Sequence, residues 1–364
     1  MPAAITAARQ ARRAPRTHGR SDAATPPVLA LDLGATQIRS AIVLADGSLR
    51  ARQSARTPVA AGPDAVIHAC EATLRATLEE HRADGGAKPE ALGISAPGPL
   101  DSARGVLLEP PNFGSEFRGL PLGPRLAASL GLPLRIDLDT RVALLAERAF
   151  GAAAGVDNVV YLTVSTGIGG AIMSEGRLMT GPDGVAGELG HLVVDMDGPL
   201  CGCGLPGHLE RLSSGSGMAR SAREALERGE HASELARLAA EIDPAPLEAV
   251  HVWQAAEAGD LVARVIVDRA IRAFAAAVVS IVDVFNPELV VVGGGVAEAW
   301  GDRLLAPARE VLARSGYRVA AGRARLVPAR LGGDVGLIGA LPLVRLAGLT
   351  TVAAVQPERI NEPS

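Results

Sequence analysis

At 364 residues, with 48% hydrophobic and 2% aromatic side chains, the chain exceeds one ordinary core and predicts two lobes packed with Leu, Val, Ile and Ala. Its 36 basic and 40 acidic side chains leave a net charge of −4, which argues against a nucleic-acid-binding body, and no run of about eighteen apolar residues signals a membrane span. Three cysteines, two of them separated by a single residue, build no disulfide framework and point to a reducing cytoplasm.

Residues 1–27 carry Arg9, Arg12, Arg13, Arg16 and Arg20 with no acid before Asp22, and read as a disordered basic leader outside the fold. From Val28, VLALDLGATQIRSAIVL is a strand, a glycine turn and a second strand, and DGSL leads to a third, a hairpin meander. Helical periodicity runs from Pro63 to about Arg82, with Cys70 as a small buried side chain. A buried strand at Ala91–Ser95, the turns of APGPLDSARG and the polar EPPNFGSEFRGLP follow. A helix near Leu122–Gly131 and a strand at Leu134–Ile136 complete a small lobe over 28–137.

Thr140 is the expected cap of a helix TRVALLAERAFGAAAG. VVYLTVSTGIGGAIMSEGRL then repeats the opening unit of strand, glycine turn and strand. That echo predicts a duplicated α/β fold with a nucleotide held between two lobes. Mainly helices follow, including the apolar run Leu261–Phe285, and then the strand ELVVVGGG. The large lobe is expected over 138–332, a terminal helix VGLIGALPLVRLAG over 333–349 packing back on the small lobe, and a disordered tail over 350–364.

The chemistry concentrates in glycine-rich loops. In CGCGLPGHLE, Cys201, Cys203 and His208 can wrap a cation, and His191 of AGELGH can close a tetrahedron of sulfur and nitrogen ligands, most simply around zinc. Glu188 and Glu210 flank those ligands and suit a polyhydroxylated substrate, because carboxylates accept hydrogen bonds from hydroxyls. In DLGATQIR, Gly34 and Thr36 can approach a phosphate while Asp32 orients magnesium through water. STGIGG, with Thr166, Gly167 and Gly169, offers a second set of amides, and Gly293, Gly294 and Gly295 leave room for a nucleoside. Together these clusters favour ATP. Phosphoryl transfer to a hydroxyl also needs a base. Asp139, at a strand-to-helix junction, is the candidate, with plain helix capping as its other role and Asp137 as its rival.

In DLGATQIR, APGPLD, LTVSTGIGGAI, GVAGELGH, CGCGLPGHLE, VVVGGG and GDVGLIGA, in that order over Val28 to about Gly348, the chain resembles the ROK family of repressors and sugar kinases. The resemblance implies a two-lobed actin-like (ribonuclease-H-like) ATPase fold with duplicated βββαβαβα lobes. It implies ATP-dependent phosphorylation of the primary hydroxyl of a free hexose in the cytoplasm, with Mg2+, a structural zinc and a homodimer or homotetramer. Glucose is the default substrate, with N-acetylhexosamines, mannose and fructose open, and polyphosphate as another donor. Asp139 is similar to the family's catalytic aspartate. Glu188, His191 and Glu210 match its sugar-contacting positions, and Asn112 is similar to a position near the sugar cleft.

Four residues depart from the family pattern. His208 stands for a cysteine in the zinc loop, Ala35 for a glycine, and Leu138 and Arg141 for two asparagines. Leu138 offers a sugar hydroxyl only apolar surface and predicts weak use of glucose, unless it points into the core. A sugar-sensing repressor of the family is disfavoured because the leader is too short for a winged helix-turn-helix; a sugar-binding protein without kinase activity is a further reading.

Overall fold

A computed structural model describes residues 25–346 and Val352, apart from 111, 231–232 and 243–245. The strands are β1 (Val28–Leu33), β2 (Gln37–Val43), β3 (Leu49–Arg56), β4 (Leu92–Ala96), β5 (Leu100–Asp101), β6 (Val106–Leu107), β7 (Leu134–Leu138), β8 (Val159–Val164), β9 (Ile168–Ser174), β10 (Arg177–Leu178), β11 (Leu289–Gly293) and β12 (Arg325–Pro328). The helices are α1 (Pro63–Ala83), α2 (Leu122–Leu130), α3 (Asp139–Phe150), α4 (Leu209–Ser213), α5 (Gly215–Glu227), α6 (Ser233–Ile242), α7 (Ala249–Glu257), α8 (Leu261–Phe285), α9 (Gly295–Trp300), α10 (Asp302–Ser315), α11 (Arg318–Ala321), α12 (Val335–Ile338) and α13 (Ala340–Arg345).

Two five-stranded sheets share one strand order, β3-β2-β1-β4-β7 and β10-β9-β8-β11-β12. In each, the first three strands are antiparallel and the last two run parallel to the first. This is the duplicated βββαβαβα unit of an actin-like ATPase. β5 and β6 form a small separate hairpin.

Strand β1 is buried on both faces, and period two sorts its residues. Leu29, Leu31 and Leu33 pack with Ile67 and Leu74 of α1, whereas Val28 and Ala30 meet Leu337, Ala340 and Leu341 of α12 and α13. Asp32 continues the second row into the space between the sheets. In the second sheet, Leu162, Val164, Val290 and Val292 pack on Phe274, Val278 and Ile281 of α8. The other face carries Tyr161, Leu289 and Val291 against Val142, Leu144 and Leu145 of α3. Each sheet is therefore covered by a helix that the chain delivers from the other half. Buried Glu147 pins that exchange: its Oε1 accepts from Arg330 N at 2.8 Å and Leu331 N at 2.9 Å, and its Oε2 from Ala152 N at 2.6 Å.

Four expectations need correction. Pro27 is buried and its carbonyl accepts from Glu90 N at 3.0 Å, so ordered chain begins before Val28. The rest of the expected leader, 1–24, lies outside the described residues, as does the expected tail except Val352. That residue is buried at 4% exposure and donates its N–H to Leu134 O at 2.9 Å, because β7 is an edge strand with free backbone groups. The terminal helix is broken into α12 and α13 at Gly339, where a Cβ would lie 2.2 Å from Val142 O. Finally, α3 begins at Asp139 with Leu138 as its cap, so Thr140 sits inside the helix. Among the described residues, no helix is long and apolar enough to cross a membrane.

Candidate active site

Asp139 opens α3 directly from the end of β7, which aims its carboxylate into the space between the sheets. Its Oδ1 accepts from Thr140 N at 2.7 Å. By area the side chain is exposed, yet protein surrounds it at longer range. That surrounding protein pushes its pKa up to about 6; the Thr140 N–H opposes the rise, and the negative charges of Asp32 and Glu188 add to it. The charges of two other candidate carboxylates, Asp32 from the first half of the molecule and Glu188 from the second, thus act on Asp139.

The rival Asp137 has a different environment. It is 1% exposed, and its Oδ1 accepts from Ser102 Oγ at 2.8 Å, Leu138 N at 2.8 Å and the Arg141 guanidinium at 3.1 Å. With Oδ1 committed to three donors, one of them a guanidinium, this carboxylate is built into the structure, at the wall of a separate cavity of about 460 Å³ that it shares with Ser102 and Arg141. Asp32 pairs with Arg39, directly opposite across the β1–β2 hairpin, through Oδ2. Its Oδ1 faces Gly336, where a Cβ would stand 2.5 Å away. In the following turn Gly34 N donates to Gln37 O at 3.0 Å, and Thr36 O accepts from Thr57 N at 3.0 Å. Ala35 is not among the residues with positive φ, which is why its side chain is tolerated.

The glycine clusters of the large half converge. Gly294, at φ +93°, passes so close to the end of β8 that a Cβ would sit 2.6 Å from Val164 O, and Gly293 leaves the same room beside the Tyr161 hydroxyl. The turn at Ser165–Thr166 is tied to the start of α5, with Gly215 N donating to Ser165 O at 2.8 Å and Ser216 N to Thr166 O at 3.0 Å. Ser214 caps that helix, its Oγ accepting from Gly217 N at 3.0 Å. Between these turns, Gly295, Val296 and the segment Pro246–Val250 lies a cavity of about 480 Å³, sized for a nucleoside. The SGSG run Ser214–Gly217 was the missed signal here: a small capping residue followed by glycines is a helix start that can approach a ligand.

Gly167 and Gly169 serve close approach of other kinds. A Cβ at Gly167 would lie 2.7 Å from Glu210 Oε2, which accepts from Ile168 N at 2.8 Å, and one at Gly169 would meet Thr140 Cγ2 at 2.7 Å. Glu210 therefore braces the glycine turn as well as flanking the cysteine loop. Asn112 stands exposed in the turn before Phe113, whose buried ring packs on Phe117 at 5.2 Å.

His191, Cys201, Cys203 and His208 come together with their ligand atoms all within 4.8 Å of one another. His191 Nδ1 lies 3.1 Å from His208 Nδ1, which lies 3.2 Å from Cys203 Sγ. The loop reaches this shape through Gly207, at φ +71°, where a Cβ would fall 1.7 Å from Asp195 O. Burial pushes the Cys201 thiol up and the His208 imidazole down, so ring and thiol favour the uncharged forms. Two imidazoles and two sulfurs aimed at one point are a donor set that zinc fits.

Leu138 lies in the core with Leu134 and Ile136, 6% exposed, and its Cδ2 occupies the space a Cβ on Gly98 would need. This overturns the expectation that it faces a sugar hydroxyl. Leu138→Asn is expected to cost roughly 2–5 kcal/mol of stability and to leave the order of sugar preference unchanged. Denaturant melts beside a substrate panel check this; unchanged stability with a new preference order would place position 138 on the substrate.

The ROK family profile matches residues 28–347. The chain belongs to the ROK family. It is 35% identical over 318 residues to a glucokinase of Thermotoga maritima, covering 87% of this chain and 97% of the relative. It is 32% identical to an N-acetylmannosamine kinase of Escherichia fergusonii, covering 87% and 98%. The structure of a ROK family glucokinase from Streptomyces griseus in complex with glucose and AMPPNP superposes with a TM-score of 0.72 at 32% identity, over 88% of this chain and 99% of that one. This ROK protein is a sugar kinase, and the cleft between its sheets is where an acceptor and a nucleotide can meet.

Proposed function

We propose that this ROK kinase moves the γ-phosphoryl group of ATP onto the primary hydroxyl of a free hexose, glucose first and an N-acetylhexosamine second. The observation that carries this reading is Asp139: an open carboxylate with a raised pKa, at a helix start between two sheets, beside Asp32 and Glu188. Asp139 takes the proton of the acceptor hydroxyl as its oxygen bonds to phosphorus and the bond to the departing ADP oxygen breaks. Glu188, Glu210, His191 and Asn112 hold the sugar hydroxyls. The cavity at Thr166 and Gly293–Gly295 takes the nucleoside, and the glycine turns at Gly34–Thr36 and Gly167–Gly169 leave room for its phosphates to approach the backbone.

Magnesium, when bound, neutralises phosphate charge. Asp32 has one oxygen committed to Arg39, so it is suited to contact the ion through water. His191, Cys201, Cys203 and His208 would hold zinc, whose role is to brace the loop. With Nδ1 of His191 turned to that cluster, Nε2 on the far edge of the ring is free to donate to the sugar.

ADP release measured over glucose, mannose, fructose, N-acetylglucosamine and N-acetylmannosamine tests the reading. Turnover is expected with glucose at the highest kcat/KM. Faster use of an N-acetylhexosamine would move the substrate to the second assignment, and no release with any sugar would refute the proposal.

A further inference from the structure

Arg141 carries one of the largest side chains buried in the molecule, at 1% exposure, and it does not face the nucleotide cavity. Its Nη1 donates to Asp137 Oδ1 at 3.1 Å, at the end of β7. Its Nη2 points to the loop after β10, donating to Gly184 O at 2.6 Å and Ala186 O at 3.3 Å, with Thr180 O at 3.5 Å. Asp137 is held in turn by Ser102 of the turn between β5 and β6. One planar guanidinium thus joins the first sheet, the start of α3 and a loop of the second half.

That loop needs an external fastening. Gly181, Gly184 and Gly187 all have positive φ, and it forms no helix or strand between Leu178 and Leu189. Its own hydrogen bonds include Ala186 N to Thr180 O at 3.0 Å and a long Gly184 N to Gly181 O at 3.4 Å. Two residues beyond Ala186 stands Glu188, and two residues before Arg141 stands Asp139. The fork geometry of Arg, with parallel donors on one rigid plane, serves Asp137 and the loop carbonyls at once; a lysine ammonium is a single point that does not reproduce that span.

We propose that Arg141 is a positioning residue, clamping the loop that carries Glu188 to the junction that carries Asp139, so that the sugar is bound and aligned through it. The proposal rests on the reading of Glu188 as a sugar ligand and Asp139 as the base.

The test is Arg141→Lys, which keeps a positive charge beside Asp137 and so avoids leaving a buried carboxylate unpaired. The expected result is a KM for the sugar raised on the order of tenfold or more, with a lower kcat and a KM for ATP within about twofold of the parent. Amide hydrogen exchange over 180–188 is expected to quicken by a similar factor. A folded variant with parental sugar KM and kcat overturns the clamp, whether or not the loop exchanges faster. So does a KM change without faster exchange. If Arg141→Lys does not fold, the paired neutral variant Asp137→Asn/Arg141→Gln is measured with the same criteria. A parent protein that phosphorylates no sugar refutes the kinase reading instead, and the exchange arm then decides on the clamp by itself.

Discussion

Turnover of Asp139→Asn is expected to fall by roughly 10²- to 10⁴-fold, with sugar affinity changing far less. Asparagine keeps the shape and can still accept from Thr140 N, so α3 starts as before; only proton acceptance is lost. The pH profile gives a second signature. A carboxylate whose pKa is raised to about 6 is protonated, and useless as a base, below that pH. Activity of the parent is therefore expected to decline as pH drops through about 6, well above the ordinary carboxylate range, and this limb vanishes in the variant. The linkage runs the other way for stability. A raised native pKa means the folded state binds this proton more tightly than the unfolded chain, so the group's contribution weakens as pH rises from about 4 to about 6. At neutral pH the variant is expected to melt no lower than the parent. Near-parental turnover in Asp139→Asn, with a dead but folded Asp137→Asn, would overturn this assignment and make Asp137 the base.

About one zinc per chain is expected from elemental analysis of the purified protein, and Cys201→Ser is expected to lose it. Bond lengths of about 2.0–2.1 Å to nitrogen and 2.3 Å to sulfur put tetrahedral ligands roughly 3.3–3.8 Å apart. The closest pairs here are 3.1 and 3.2 Å and the set spans up to 4.8 Å, so small side-chain shifts close the site. Glu188 precedes His191 by three residues and Glu210 follows His208 by two, so loosening the loop disturbs both. Chelation or Cys201→Ser is expected to lower Tm by roughly 5–10 °C and to raise the KM for the sugar, with less effect on nucleotide binding. Both tryptophans, Trp253 and Trp300, pack at 4.6 Å on α7 and α9, whose first turns line the nucleotide cavity, so their fluorescence is a ready probe of that binding. A metal-free native protein with full activity would sink the zinc assignment.

Local pattern was enough for the repeated strand–glycine–strand units, the long apolar α8 and the His/Cys cluster. Each is carried by a short-range pattern or by motifs close together in the chain, from His191 to His208 for the cluster, so little of it waits on distant segments. The burial of Leu138 was legible too, since Leu134, Ile136 and Leu138 alternate along one strand and share one face. The asparagine of the family pattern points to the sugar at that position, whereas the strand period points to the core. Contacts between distant segments were decided only in three dimensions. The α3 start at Asp139, the break at Gly339 against Val142 and the pairing of Val352 with an edge strand all depend on what packs alongside. The same holds for the separation of Asp137 from Asp139. These neighbours differ by two positions in the chain, yet one lies buried in a strand against an arginine and the other begins a helix with its side chain exposed. No local spacing distinguishes an ion-paired, buried carboxylate from an exposed one, because that difference is made by Ser102, Arg141 and the surrounding protein.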